Sequence, residues 1–127
     1  MHIRNRLGQI VITKKELERL TENAKISHRD DYDPKPVVKM FGGSAGTWLF
    51  TEARRYGDDI ELFGLCDPGL GFPEIGYCSL NELLSVKFPP LRLPIERDKF
   101  WKPQGTLRQY ADAAQANRRI VSLPDAA

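Results

Sequence analysis

The densest set of reactive side chains lies in "CDPGLGFPEIGYCSLNEL", residues 66–83. It brings the carboxylates Asp67 and Glu74 together with the thiols Cys66 and Cys78, with Gly69, Gly71 and Gly76 among them. Two carboxylates in different surroundings can divide the work of general acid and general base. Glycines let backbone come close to a ligand. The same residues also serve a structural purpose. An Asp before a proline bonds N–H groups of its own turn, and a strand-end Glu pairs with an arginine. The structural reading leads. Residues 66–74 are expected to form a rigid loop between two strands, with Asp67 accepting N–H bonds inside it and Glu74 paired with Arg97. Ligand or partner binding by these carboxylates comes second. Catalysis by an Asp67/Glu74 pair, as in a small hydrolase or transferase, comes third.

Other chemistries find less support. The "GLG" of this loop leads through prolines into a strand, whereas a dinucleotide fingerprint needs its glycines before a helix. The cysteine spacing matches no zinc pattern, and the histidines His2 and His28 lie far upstream. No metal and no cofactor are expected. Free thiols are expected, with a cross-hairpin disulfide open only in an oxidising compartment. Ser79 reads as a helix cap and Ser44 has no histidine near it, so a hydrolase triad has little basis.

A second set lies in "ERDKFWK", Glu96–Lys102. Arg97 can hold a carboxylate or phosphate in two bonds, and Trp101 can stack on a base. With Asp98, Lys99 and Lys102 beside them, these residues make a binding patch. The competing reading has Phe100 and Trp101 covering one end of the core with the lysines outside.

The elements that must position these groups follow from spacing. Thr13 with Glu16 is a capping box, and Leu17, Leu20 and Ala24 continue at helical spacing, predicting helix over 14–25. "SHRDDYDPKP" is a linker. "VVKMF", "TWLFTEAR" and "IELFGLC" are strands separated by "GGSAG" and "YGDD" turns, with "EIGYC" a fourth. Trp48 and Phe50 are expected on one face, Leu49 and Thr51 on the other. Ser79 and Glu82 form another capping box, opening a short helix ended by "KFPP". "LPIERDKFW" holds a short edge strand. Thr106 and Gln109 cap a last helix with Leu107, Tyr110, Ala111 and Ala114 on its apolar face. The fold class is α+β: a single domain with a four- or five-stranded, mainly antiparallel sheet and helices packed on one face. Its parts are an N-terminal helix and linker (1–33), the α+β core (34–120) and a frayed tail (121–127).

The chain has 127 residues, 41% hydrophobic and 28% charged, in the range of a globular protein. No apolar run reaches a membrane span and the N-terminus does not resemble a signal peptide, so a cytoplasmic protein with no membrane contact is expected. The formal net charge is +2. It divides into +4 over residues 1–29, −6 over 30–86 and +4 over 87–127. This is ordinary solvated surface unless the fold brings the two basic ends together, in which case nucleic acid becomes a possible partner.

In combination, several blocks resemble a small bacterial family catalogued as domain of unknown function 2958. They are Pro36–Phe41, Thr47–Leu49, Phe63–Asp67, Gly71–Glu74, Pro94–Asp98 and the closing helix near Thr106–Arg119. The resemblance covers about residues 13–120 and implies an association with plasmids, integrative elements and phages. It supplies no catalytic mechanism. The loops "FGGSAG" and "FWKPQG" depart from the family pattern, which would bear on partner choice. The function expected is a non-catalytic interaction module of a mobile element, an accessory factor countering host restriction or CRISPR defence by binding protein or nucleic acid. A protein partner is expected first, and oligomeric state is left open.

Overall fold

The structure is a computed structural model and describes residues 1–123. Its chain order is β1 (Ile3–Arg4), β2 (Ile10–Ile12), α1 (Lys14–Ile26), β3 (Val38–Gly42), β4 (Gly46–Tyr56), β5 (Asp59–Asp67), β6 (Glu74–Ser79), α2 (Leu80–Ser85), β7 (Glu96–Arg97) and α3 (Leu107–Asn117). Five strands form one antiparallel sheet in the order β6-β5-β4-β3-β7, and β1 and β2 form a separate hairpin. The class is α+β, as the alternating strands and capped helices predict.

The hairpin β1–β2 has no counterpart in the sequence reading, because runs of two and three residues are too short to show a period. Asn5 builds it. Its Oδ1 accepts from Leu7 N and Gln9 N, and its Nδ2 donates to the carbonyl of Ile95, next to β7. The segment before residue 34 also feeds the main core, through Val11, Ile12 and Leu20.

Strand β4 is buried on both faces over most of its length. Trp48 and Phe50 enter one core with Met40, Leu62, Leu20, Leu80 and Leu83. Leu49 enters another with Leu65, Leu107, Tyr110 and Ala114. Thus α1 and α2 cover one face while α3 covers the opposite face. This corrects the expectation of helices on one face only: with apolar side chains at successive positions, both faces of β4 need a cover.

The regular alternation breaks once. Phe50 pairs with Gly64 and Glu52 with Phe63, so Thr51 is an extra residue, a β-bulge. Beyond it the faces exchange. Ala53 joins the first core, whereas Glu52 and Arg54 point to the α3 side with Phe63. Asn23 of α1 donates to the bulge carbonyl, Thr51 O, at 3.0 Å. Gly64 opposite the bulge has no alternative, since a Cβ there would lie 1.9 Å from the Leu49 carbonyl oxygen.

One carboxylate joins α1 to the far edge of the sheet. Glu16 accepts from Thr13 N at 2.8 Å while Thr13 Oγ1 accepts from Glu16 N at 3.1 Å, closing the capping box. The same carboxylate receives Arg97 Nε at 3.0 Å and Nη2 at 3.1 Å. On the opposite side of the sheet, Thr106 and Gln109 form the second capping box, at the start of α3. The tail expected over 121–127 is described as far as Leu123, which packs with Ile120 against the second core; residues 124–127 lie outside the described residues.

Because Glu16 serves the cap and the ion pair together, replacing it removes both and leaves the Arg97 guanidinium unpaired. Glu16→Ala is expected to lower stability by about 2–3 kcal/mol in urea denaturation. Glu16→Gln, which keeps the cap, is expected to lose less.

Candidate recognition cleft

The structure separates the residues that the sequence brings close. Asp67 is 1% exposed and fully used: Oδ1 accepts from Gly69 N at 2.9 Å, and Oδ2 accepts from Ile120 N at 3.2 Å. It is a loop support, as expected, and also holds the chain after α3. Glu74 is exposed at the start of β6. Its expected partner, Arg97, sits in β7 at the other edge of the sheet, four strand spacings or about 19 Å away. The Glu74–Arg97 pairing is therefore corrected to Glu16–Arg97. Asp67 pairs with Thr47 and Glu74 with Cys66 in successive register positions of β5, so the two carboxylates face opposite sides of the sheet. They do not share a cleft.

The Glu96–Lys102 block is divided. Arg97 is held by Glu16. Asp98 approaches Lys39 at 3.8 Å and accepts from Phe100 N. Trp101 is half-buried against the second core, tilted on Tyr110 at 5.9 Å between ring centroids. Lys99 and Lys102 are exposed, and Phe100 is 91% exposed rather than covering the core.

Cys66 and Cys78 face the first core from neighbouring strands, but their register positions are four residues apart, about 13 Å along the ladder. That exceeds disulfide reach, and both are free thiols. Burial, with a smaller contribution from the charge of Cys78, pushes the Cys66 thiol up to about 12. Burial, with the carboxylates of Glu82 and Asp59, pushes Cys78 up to about 11. Such thiols are poor nucleophiles at neutral pH.

The concave feature lies elsewhere. A cleft of about 530 Å³ opens between α3 and the ends of β4, β5 and β6. Its walls are apolar: Phe63 and Tyr77, 4.9 Å apart and tilted, with Ile75, Leu107 and Ala111. Its floor is polar and fixed. The bulge turns Glu52 and Arg54 into it. Glu52 accepts from Tyr32 Oη at 3.0 Å and pairs with Arg54 Nη2 at 3.0 Å, and Nη2 also donates to Ser27 Oγ. Arg54 Nη1 is buried with no hydrogen-bond partner among the described residues. Burial first, then the bond to Glu52 and its negative charge, raises the Tyr32 hydroxyl well above the usual tyrosine range, so it stays a donor.

Beyond Ile75 and Ala111 a second cleft, of about 580 Å³, continues past Phe72, Glu74, Gln115 and Arg118. The shared wall belongs to an apolar strip on the β5–β6 loop and on β6: Leu70, Phe72 (73% exposed), Ile75 and Tyr77 (62% exposed). The opening loop therefore contributes to the site through Phe72, while Asp67 supports it from inside. Tyr32, Glu52 and Arg54 escape a reading by alternation, because that reading sends Glu52 and Arg54 to the Trp48 face.

Asp67→Ala removes a buried carboxylate that accepts two part-buried N–H groups and is expected to cost about 1–3 kcal/mol, read as a drop in melting temperature. Glu74→Gln, on the surface, is expected to change stability by less than ~0.5 kcal/mol. The thiols give a pH dependence. Unfolded cysteines ionise near ~8.5, whereas the folded ones hold their protons to higher pH. Their contribution is complete below that value and is lost as pH rises towards 11–12. Urea midpoints for a Cys66→Ala/Cys78→Ala variant should fall less between pH 8 and 10 than those of the wild type.

Among known proteins, a 53-residue stretch is 30% identical to a small RNA 2'-O-methyltransferase of Gallus gallus. The stretch is 42% of this chain, and the chain spans only 14% of that relative's length. No solved structure matches the chain. The family described as "Protein of unknown function (DUF2958)" matches over residues 11–121, nearly the whole of the described fold, and the chain belongs to that family.

Proposed function

We propose that this protein is a non-catalytic interaction module that recognises a protein partner through the cleft and strip beside β6. The observation that carries this reading is the pairing of exposed apolar anchors with a rigid polar floor. Phe72, Ile75 and Tyr77 supply aromatic and branched surface, and the Tyr32–Glu52–Arg54 network beneath them is already ordered before binding. Interfaces concentrate their energy in such aromatic anchors set in fixed pockets. The biological setting in this reading is a bacterial mobile element, with the protein an accessory factor against host restriction or CRISPR defence. The family resemblance supports that part, and the cleft supports the binding mode.

A second reading has its own observation. The basic ends meet at the opposite edge of the sheet. Arg4, Arg97 and Lys99 line one groove together with Glu96, and Arg6 donates to the carbonyl of Arg92 nearby. Nucleic acid would bind there by phosphate contacts that weaken steeply with salt. The Gallus gallus likeness adds little, given its short span.

The two readings separate in one comparison. Affinity capture from a bacterial lysate is run with the wild type, with Phe72→Ser/Tyr77→Ser and with Arg4→Glu/Lys99→Glu, beside gel shifts on DNA and RNA at low salt. A protein partner held by the cleft should lose at least about 30-fold in affinity in the Phe72/Tyr77 variant and be retained by the other. Retention by the Phe72/Tyr77 variant, with loss in the Arg4/Lys99 variant and a salt-sensitive gel shift, would replace the first reading with the second.

A further inference from the structure

Strand β6 ends the sheet, and no backbone hydrogen bond to its outer side occurs among the described residues. Natural sheets guard such an edge with a proline, a lysine, a bulge or a covering segment. β6 reads Glu74-Ile75-Gly76-Tyr77-Cys78-Ser79, with no proline, no lysine and no register shift against β5. Its middle four residues are uncharged, and two of them, Ile75 and Tyr77, are exposed on the cleft face.

We infer that β6 pairs with β6 of a second copy of this chain, antiparallel about a two-fold axis at Gly76. The inference rests on the recognition reading above and adds the arrangement in which the cleft works. The sequence of β6 is complementary to itself in this register. Gly76 faces Gly76 of the partner, Ile75 faces the partner's Tyr77, and Glu74 faces the partner's Cys78. The two apolar pairs fall on the cleft face, where a branched side chain opposite an aromatic one is favourable. The only charged residue of the strand meets an uncharged one, so no like charges oppose each other. At the axis Gly76 carries no side chain, and even a Cβ there would find open space on its face of the sheet. An unrelated partner strand would have to supply this match, whereas a second copy brings it by symmetry. Pairing joins the two sheets into one of ten strands. It sets Ile75 of each copy beside the Tyr77 wall of the other's cleft, so both clefts lie on one face, flanking the axis.

The test is solution mass together with a site-specific cross-link. Light scattering at micromolar concentration should give twice the 14.5 kDa chain mass for the wild type and a single chain mass for Tyr77→Lys. Tyr77→Lys should keep the folded circular dichroism spectrum of the wild type, because the side chain is largely exposed. Directly opposed residues in an antiparallel pair lie within disulfide reach. Gly76→Cys should therefore form an intermolecular disulfide on mild oxidation, whereas Gln115→Cys, exposed on α3, should not. A monomeric wild type, a Tyr77→Lys variant that stays dimeric, or equal cross-linking at residues 76 and 115 would overturn the inference. If the wild type is monomeric yet partner capture still depends on Phe72 and Tyr77, the dimer fails while the recognition reading stands. A dimer with cleft-independent capture has the reverse meaning.

Discussion

The extra residue at Thr51 decides what each side of the sheet can do. In a regular strand, shifting by one residue turns every later side chain to the other face. β4 makes that shift once, between Phe50 and Glu52. Without it, Glu52 and Arg54 would point at α1 and the first core, where a buried ion pair is costly to desolvate. Ala53 would point outwards and leave its place in that core empty. With the bulge, the first core stays apolar and the charged pair becomes the floor of the cleft. The irregularity is held from both sides: Asn23 of α1 takes the freed Thr51 carbonyl, and Gly64 gives the backbone room.

The rest of the molecule keeps that strand in place. α1 covers the bulge from one side, and its first turn is fixed by Glu16, which closes the cap and grips Arg97 on the edge strand. Asn5 ties the N-terminal hairpin to Ile95, just before that strand. On the other face, Asp67 joins the loop after β5 to the chain after α3, so the wall of the cleft and its α3 side are braced against each other. These polar links sit at the margins of two apolar cores. Burial supplies most of the stability, and the links fix the orientation of the elements.

Much of this is legible in the residues. The capping boxes Thr13–Glu16 and Thr106–Gln109 mark helix starts that the structure reproduces, and at Ser79 the hydroxyl half of the expected box forms, accepting from Glu82 N. The alternation in Ile60–Cys66 and the glycines and aspartates between runs mark the meander. The family blocks also lie where the family match falls. What sequence spacing could not supply is order across the sheet. β7 returns beside β3 instead of following β6, so Glu74 and Arg97, close in the list of strand ends, stand at opposite edges. A bulge has no fixed residue signature, so Glu52 and Arg54 pass for members of the core-facing row. The one trace was "FTEAR", which places Glu52 and Arg54 directly after the apolar run Trp48–Phe50 of the same strand. Tyr32 lay in a segment read as linker, and its role depends on where β4 turns Glu52.

The central claim is that the bulge at Thr51 reverses the facing of β4 and thereby builds the cleft. Nuclear Overhauser contacts of the Ala53 methyl group test it most directly. The account predicts contacts with side chains of the first core, Leu20 and Leu62 among them, and none with Leu107 or Ala111 of α3. An Ala53 methyl in contact with Leu107 or Ala111 would mean a strand without the reversal, and the cleft described above would not exist.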